Sequence, residues 1–223
     1  MFMQTTFWEP IKLSLTVTIT AGMIVVVLGT FFGYLFAHKR FKGKLLLETL
    51  FMLPLVLPPS VIGFLLIIIF GNQSMIGELF RLIFGRSIIF TWYAAVIAAT
   101  VVAFPLMFQT AKAGFLGVAK MFEEVAQDLG ATKIQVFFYI SLPLAKRALW
   151  TGAILSSARA LGEFGATLMF AGNIPGITQT VPTAIYMAID RGDMALAWSW
   201  VIVIIALSYV LLLFTKMKTN DRR

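Results

Sequence analysis

The chain contains no cysteine and a single histidine, and it carries only 10 acidic residues against 18 basic ones. The missing thiols exclude disulfides and thiolate-held metals, and one histidine, His38, leaves no histidine cluster to bind a metal. No G-x-x-x-x-G-K-[ST] run exists: Gly43-Lys44 is followed by Leu45, so the phosphate-cradling loop of a nucleotide-binding protein is absent. No serine stands in a pattern that pairs it with a base. Internal repeats and low-complexity segments are missing too. The chain is therefore not expected to be catalytic by itself, and no cofactor or metal is expected on it.

What is abundant is apolar length. Of 223 residues 60% are hydrophobic, with a mean hydropathy of +0.92, well beyond the usual soluble domain. A membrane span takes about 20 apolar residues, and five stretches qualify: Leu13–Ala37, Leu45–Phe70, Ser87–Thr110, a fourth beginning near Ala148 and containing residues 156–172, and Ala195–Thr215. The first is too long for the core of a cleaved signal and reads as a retained span. Trp8, Trp92, Tyr93, Trp198 and Trp200 fall near span ends, where aromatic rings settle at the headgroup level. Between the spans, 71–86 reads as a polar turn and a short amphipathic helix, 172–182 as a loop, 183–190 as a helix lying at the surface, and Arg191-Gly192-Asp193 as a turn. His38 reads as a solvated loop residue.

Inside the spans a few residues conflict with a plain apolar helix. Pro54, Pro58 and Pro59 each remove a backbone donor, so the second helix must bend or break, which makes it a candidate gate. Arg159 and Glu163 lie one turn apart in the fourth span. A charge at mid-bilayer costs roughly 2.5–3.5 kcal/mol on insertion scales, so it is kept with a partner or for a use. They are candidates for an intramembrane ion pair or for an anion pathway, and Glu48 is a further possible partner.

The basic residues are distributed unevenly. Loops 38–44, 111–147 and 216–223 hold thirteen Lys and Arg, whereas 1–12, 71–86 and 172–194 hold four. The positive-inside rule then puts the first set in the cytoplasm, the amino terminus outside and the carboxyl terminus inside. This basic distribution is how a membrane protein orients itself, so the net charge of +8 does not call for nucleic acid.

The one long charged stretch, residues 118–143, is patterned. Val118, Phe122, Val125 and Leu129 recur at helical spacing, with Glu123, Glu124, Gln127 and Asp128 on the other, water-facing side. Gly130 ends that helix, because glycine alone enters the left-handed cap without steric cost. A second amphipathic run, Lys133 to Ser141, leads into Leu142-Pro143. The spelling Glu124-Val125-Ala126, Gly130, Ile140, Leu142-Pro143 resembles the EAA loop of ABC importer permeases, in which E-A-A, G and I-x-L-P stand at these spacings. Only Val125 departs, where alanine is usual.

Two further stretches narrow the resemblance. ARALGEFGATLMFAGNIPGITQTVPTAIY (158–186) and LPLVLPPSVIGFLL (53–66) are similar to molybdate importer permeases, which are related to sulfate permeases. The resemblance implies an all-α integral membrane fold of the type I importer class, with five transmembrane helices and cytoplasmic coupling helices. A single domain would occupy about residues 10–215, with its coupling loop at about 111–147. Glu124, Ala126, Gly130, Ile140, Leu142 and Pro143 would couple to a separate ATP-binding subunit, present in two copies, which uses the ATP and magnesium. The resemblance also implies a second copy of this chain and an extracytoplasmic molybdate-binding protein, working by alternating access in the cytoplasmic membrane. Tungstate or sulfate as the transported anion, or a self-sufficient secondary anion transporter, are the alternatives.

Overall fold

The computed structural model describes residues 2–220, and their regular structure is helical. Apolar runs become long helices because, without water, a helix satisfies nearly all its backbone polar groups internally. The first half comprises α1 (Phe2–His38), α2 (Lys44–Val56), α3 (Pro59–Phe70), α4 (Met75–Phe84) and α5 (Trp92–Leu116). Then α6 (Lys120–Asp128), α7 (Lys133–Val136) and a π-helical turn (Phe137–Ser141) run straight into α8 (Leu142–Leu161). The chain ends with α9 (Gly165–Phe170), α10 (Val181–Asp190) and α11 (Met194–Asn220). Residues 221–223 of the basic tail lie outside the described residues.

The core is built on α5, whose Ala94, Ala95, Ala98, Ala99, Ala103 and Ala111 are buried. Small side chains let backbones approach closely, which is how helices associate where apolar burial gives no drive. On α1, Gly29 and Gly33 face Met107 and Ala111, and a Cβ at Gly33 would come within 2.6 Å of the Ala111 Cβ. On α8 the corresponding contact is Ala148, whose Cβ would stand 2.5 Å from one built on Gly114.

These contacts fix helix directions. Gly29 meets Met107 and Gly33 meets Ala111, so α1 and α5 run parallel. The chain between them must return to its starting side. Among the described residues, three helices are each long and apolar enough to span a membrane, and the α2–α3 pair, bent by 119°, makes a fourth. Because α1 and α5 are parallel, that bent pair acts as one broken crossing. The route from α8 through α9 is the fifth. Ala148 touches Gly114, Gly152 touches Met107, and Phe90 N–H donates to the Phe170 carbonyl, so this segment runs antiparallel along all of α5.

Several boundaries differ from expectation. α1 begins before Leu13, α5 continues past Thr110 to Leu116, and the fourth crossing starts at Leu142 instead of Ala148 and breaks after Leu161. Charged residues at helix ends hide these extensions, since hydropathy fades before the hydrogen-bond ladder does. The proline-rich helix breaks outright: Pro54 is absorbed within α2, Pro58 precedes α3, and Pro59 opens it. The helix expected at 183–190 begins at Val181, and it does not simply lie on the surface. Val181, Ala184 and Ala188 are buried in a second small core with Ile11, Ala197 and Trp200. The Arg191–Asp193 turn forms as expected, and Asp193 caps α11 by accepting from the Leu196 N–H at 3.1 Å.

Candidate functional site at the basic end

The patterned stretch folds into a short helix, a glycine turn and a second helix. α6 stops at Asp128, and Gly130 takes φ +91°, the left-handed conformation that a side chain disfavours. Thr132 then caps α7: its hydroxyl accepts from the Gln135 N–H at 3.3 Å, and Gln135 Oε1 accepts from the Thr132 N–H at 2.8 Å. The second helix is not a separate unit. It widens into the π-helical turn and becomes α8, with Pro143 in the first turn, where its missing N–H costs nothing.

On α6, Glu124, Gln127 and Asp128 are exposed as expected, and the burial pattern departs from expectation at Glu123. The apolar face of the helix points outward: Met121, Phe122, Val125 and Leu129 are exposed, Leu129 by 85%. Ile134 and Tyr139 extend this apolar surface, and Ala126, Leu129, Gly130, Gln135, Tyr139 and Ile140 line a notch of ≈ 410 Å³ between the two helices. Glu123, expected to face water, is 7% exposed. Helical periodicity identifies an apolar face but not whether this chain or another covers it. Of the motif residues, Glu124, Gly130 and Pro143 are exposed, while Ala126, Ile140 and Leu142 are half-buried.

Glu123 is buried because two side chains, Ser141 and His38, satisfy its carboxylate. Ser141 Oγ donates to Oε1 at 2.5 Å, and His38 Nε2 stands 3.0 Å from both carboxylate oxygens. His38 Nδ1 lies 3.0 Å from the Tyr34 carbonyl. Both ring nitrogens thus face oxygen atoms, one on the α1 backbone and one on α6. Tyr34, Phe115 and Phe137 pack around this cluster, with Tyr34 ring centroids 4.2 Å from His38 and 4.7 Å from Phe137. His38 is therefore not the solvated loop residue its surroundings in sequence suggest. It closes α1 and reaches a residue 85 positions away.

Farther into the bundle, Arg159 and Glu163 do pair, at 2.8 Å. Ser157 neighbours Gly22, halfway along α1, so the pair sits near mid-crossing. It straddles a helix break: α8 ends at Leu161, and Glu163 Oε1 accepts the Ala166 N–H at 2.8 Å to start α9. Glu163 is buried, while about a third of the Arg159 side chain, 31%, is exposed. Glu48 takes no part in this pair; it holds Lys112 of α5 instead. The two helix breaks adjoin, since a Cβ at Gly165 would stand 2.8 Å from the Pro59 Cβ.

Residues 26–219 match the family described as binding-protein-dependent transport system inner membrane component. The chain is 55% identical over 212 residues, 95% of its length and 93% of the relative's, to YvgM of Bacillus subtilis (strain 168), named for a molybdenum transport system permease. It is 41% identical over 210 residues, 94% of its length and 92% of the relative's, to the molybdenum transport system permease protein ModB of Escherichia coli (strain K12). Among solved structures, a chain of the inward-facing MetNI methionine ABC transporter superposes with a TM-score of 0.76 at 18% identity, covering 96% of this chain and 95% of that one. A bacterial ABC transporter that imports alginate gives 0.77 at 16% identity, covering 98% and 80%. These superpositions show that this chain shares its fold with chains of ABC transporters.

Proposed function

Since this chain belongs to the binding-protein-dependent transport system inner membrane component family, we propose that it is the membrane-spanning permease subunit of an ATP-driven molybdate importer. Two of its relatives are named for molybdenum transport. The observation that carries the coupling mechanism is the outward apolar face of α6. An exposed patch of this kind beside a notch is a docking surface for another protein.

In this reading Glu124, Ala126, Gly130, Ile140, Leu142 and Pro143 form the part that seats in an ATP-binding subunit. Two copies of this chain would meet two such subunits, which use the ATP and magnesium. A binding protein outside the membrane would deliver the anion. When the ATPase pair closes, it draws the two seated loops together. α7 is continuous with α8 through the π-helical turn, and α6 joins α7 by the glycine turn, so this movement tilts the bundle. The path then opens outward, and hydrolysis returns it inward. The amino terminus would lie outside the cytoplasmic membrane and the carboxyl terminus inside.

Uptake of radiolabelled molybdate, tungstate and sulfate with the cognate binding protein tests the substrate. Molybdate uptake that depends on ATP is expected, and tungstate is the anion closest to it in size and charge. Uptake of sulfate alone would overturn the assignment. Gly130→Asp places a side chain at φ +91° and a charge on the docking surface. It is expected to abolish co-purification of the ATP-hydrolysing subunit, and transport driven by this chain alone would defeat the importer reading.

A further inference from the structure

The resemblance places the coupling glutamate at Glu124, which is exposed. The residue before it does something different. Glu123 points away from the docking surface and is held by Ser141, at the junction of the π-helical turn with α8, and by His38, the last residue of α1. It is the one described side chain of α6 with hydrogen bonds to both these elements. A seated α6 can displace α8 through the backbone, by way of α7. No such continuous path leads to α1, because α2 to α5 intervene.

We propose that Glu123 is the positioning residue through which movement of the docked α6 reaches α1, and that His38 and Ser141 are the other two members of this joint. The proposal rests on the importer reading above and adds a route within it. Three features support the role. The carboxylate is largely shielded from water, the residue being 7% exposed beside a collar of Tyr34, Phe115 and Phe137. In such surroundings a charge-assisted hydrogen bond is stronger than at a surface. The contact with Ser141 falls at the π-helical turn, where the ladder is already wider than in an α-helix and Ser141 Oγ also reaches the Val136 carbonyl at 3.4 Å. Such turns inside helices are frequently functional sites, and this one lies between the docking helices and a membrane crossing.

The alternative is that Glu123 only holds the loop in shape. The two roles separate when assembly and coupling are measured apart. The chain is purified with its ATP-hydrolysing subunit and placed in liposomes, and binding-protein-dependent molybdate uptake is compared with basal ATP hydrolysis. For Glu123→Ala, uptake is expected to fall about tenfold while co-purification and basal hydrolysis hold, in the range that coupling residues show. Adding Ser141→Ala should lower it no further, because the bond that ties the serine to α6 is already gone. If Glu123→Ala loses the partner subunit, Glu123→Gln decides. It keeps the shape but replaces the ionised acceptor with a neutral amide, which weakens the contacts to Ser141 and His38, so assembly should return while uptake stays low. Unchanged uptake in Glu123→Ala overturns the proposal, as does recovery of assembly and uptake together, or loss of both together, in Glu123→Gln. If the wild-type chain co-purifies no ATP-hydrolysing subunit, the importer reading falls and the proposal falls with it.

Discussion

Arg159 is the residue for which depth and exposure pull in opposite directions. It lies near mid-crossing, where an isolated charge costs roughly 2.5–3.5 kcal/mol on insertion scales, yet 31% of its side chain is open. Glu163 offsets much of that cost, at 2.8 Å, but a pair kept for stability alone would be expected to bury both partners. Glu163 is committed, since it also starts α9. Arg159 keeps donors to spare, five N–H groups against one carboxylate oxygen. Replacing Arg159 with Gln is expected to cut molybdate uptake about tenfold, the order lost when one coupling-scale interaction is removed, with the ATP-hydrolysing subunit still co-purifying. Uptake at the wild-type rate would reduce the pair to a structural one. The i,i+4 spacing made this pair readable from the chain. The Glu123–His38 contact was not readable, because it joins residues 85 apart and neither lies in a pattern that names the other.

At the scale of elements, the informative one is α6, an amphipathic helix whose apolar face is left open. A helix with its apolar face in water is unstable unless something covers it, and this one forms at the basic end with Val125 50% and Leu129 85% exposed. Substituting both with Asp removes no internal packing, so stability should change by only about 0.5 kcal/mol per site, as for ordinary surface positions. Co-purification with the ATP-hydrolysing subunit should nevertheless be lost. A large drop in melting temperature would mean that the face is packed within the bundle after all, and the docking surface would lie elsewhere. Periodicity, the glycine stop and the proline breaks were legible because each is a local backbone effect. Covering was not, since a stripe of Val, Phe and Leu reads the same against its own bundle or a partner. The break in the fourth crossing was missed for a related reason: Gly162 sits in an apolar run, and only Glu163 bonding to the Ala166 N–H shows that the ladder restarts there.

For the whole molecule, the arrangement depends on one geometric relation, the parallel run of α1 and α5. It makes the α2–α3 pair return to the starting side despite its 119° bend, which in the proposed reading gives five crossings with the termini on opposite sides. It also sets the docking surface on the same side as the basic loop 38–44, because Glu123 bonds the end of α1. In the proposed orientation this side is the cytoplasm, because the sequence segments 38–44, 111–147 and 216–223 carry thirteen of the Lys and Arg residues. The absence of native cysteine makes this testable directly. Single cysteines at the exposed positions Lys42, Gln73, Gln127 and Arg191 should divide into two classes with a membrane-impermeant thiol reagent. Gln73 and Arg191 should label in intact cells, and Lys42 and Gln127 only after the membrane is opened. If Gln73 labels with Lys42, the bent pair is a re-entrant loop, α5 cannot cross in parallel with α1, and the tie between α6 and α1 no longer sits beside an ATPase. If all four divide as expected but with the sides exchanged, the fold stands and the docking surface faces away from the cell's ATP, which removes the motor from the mechanism.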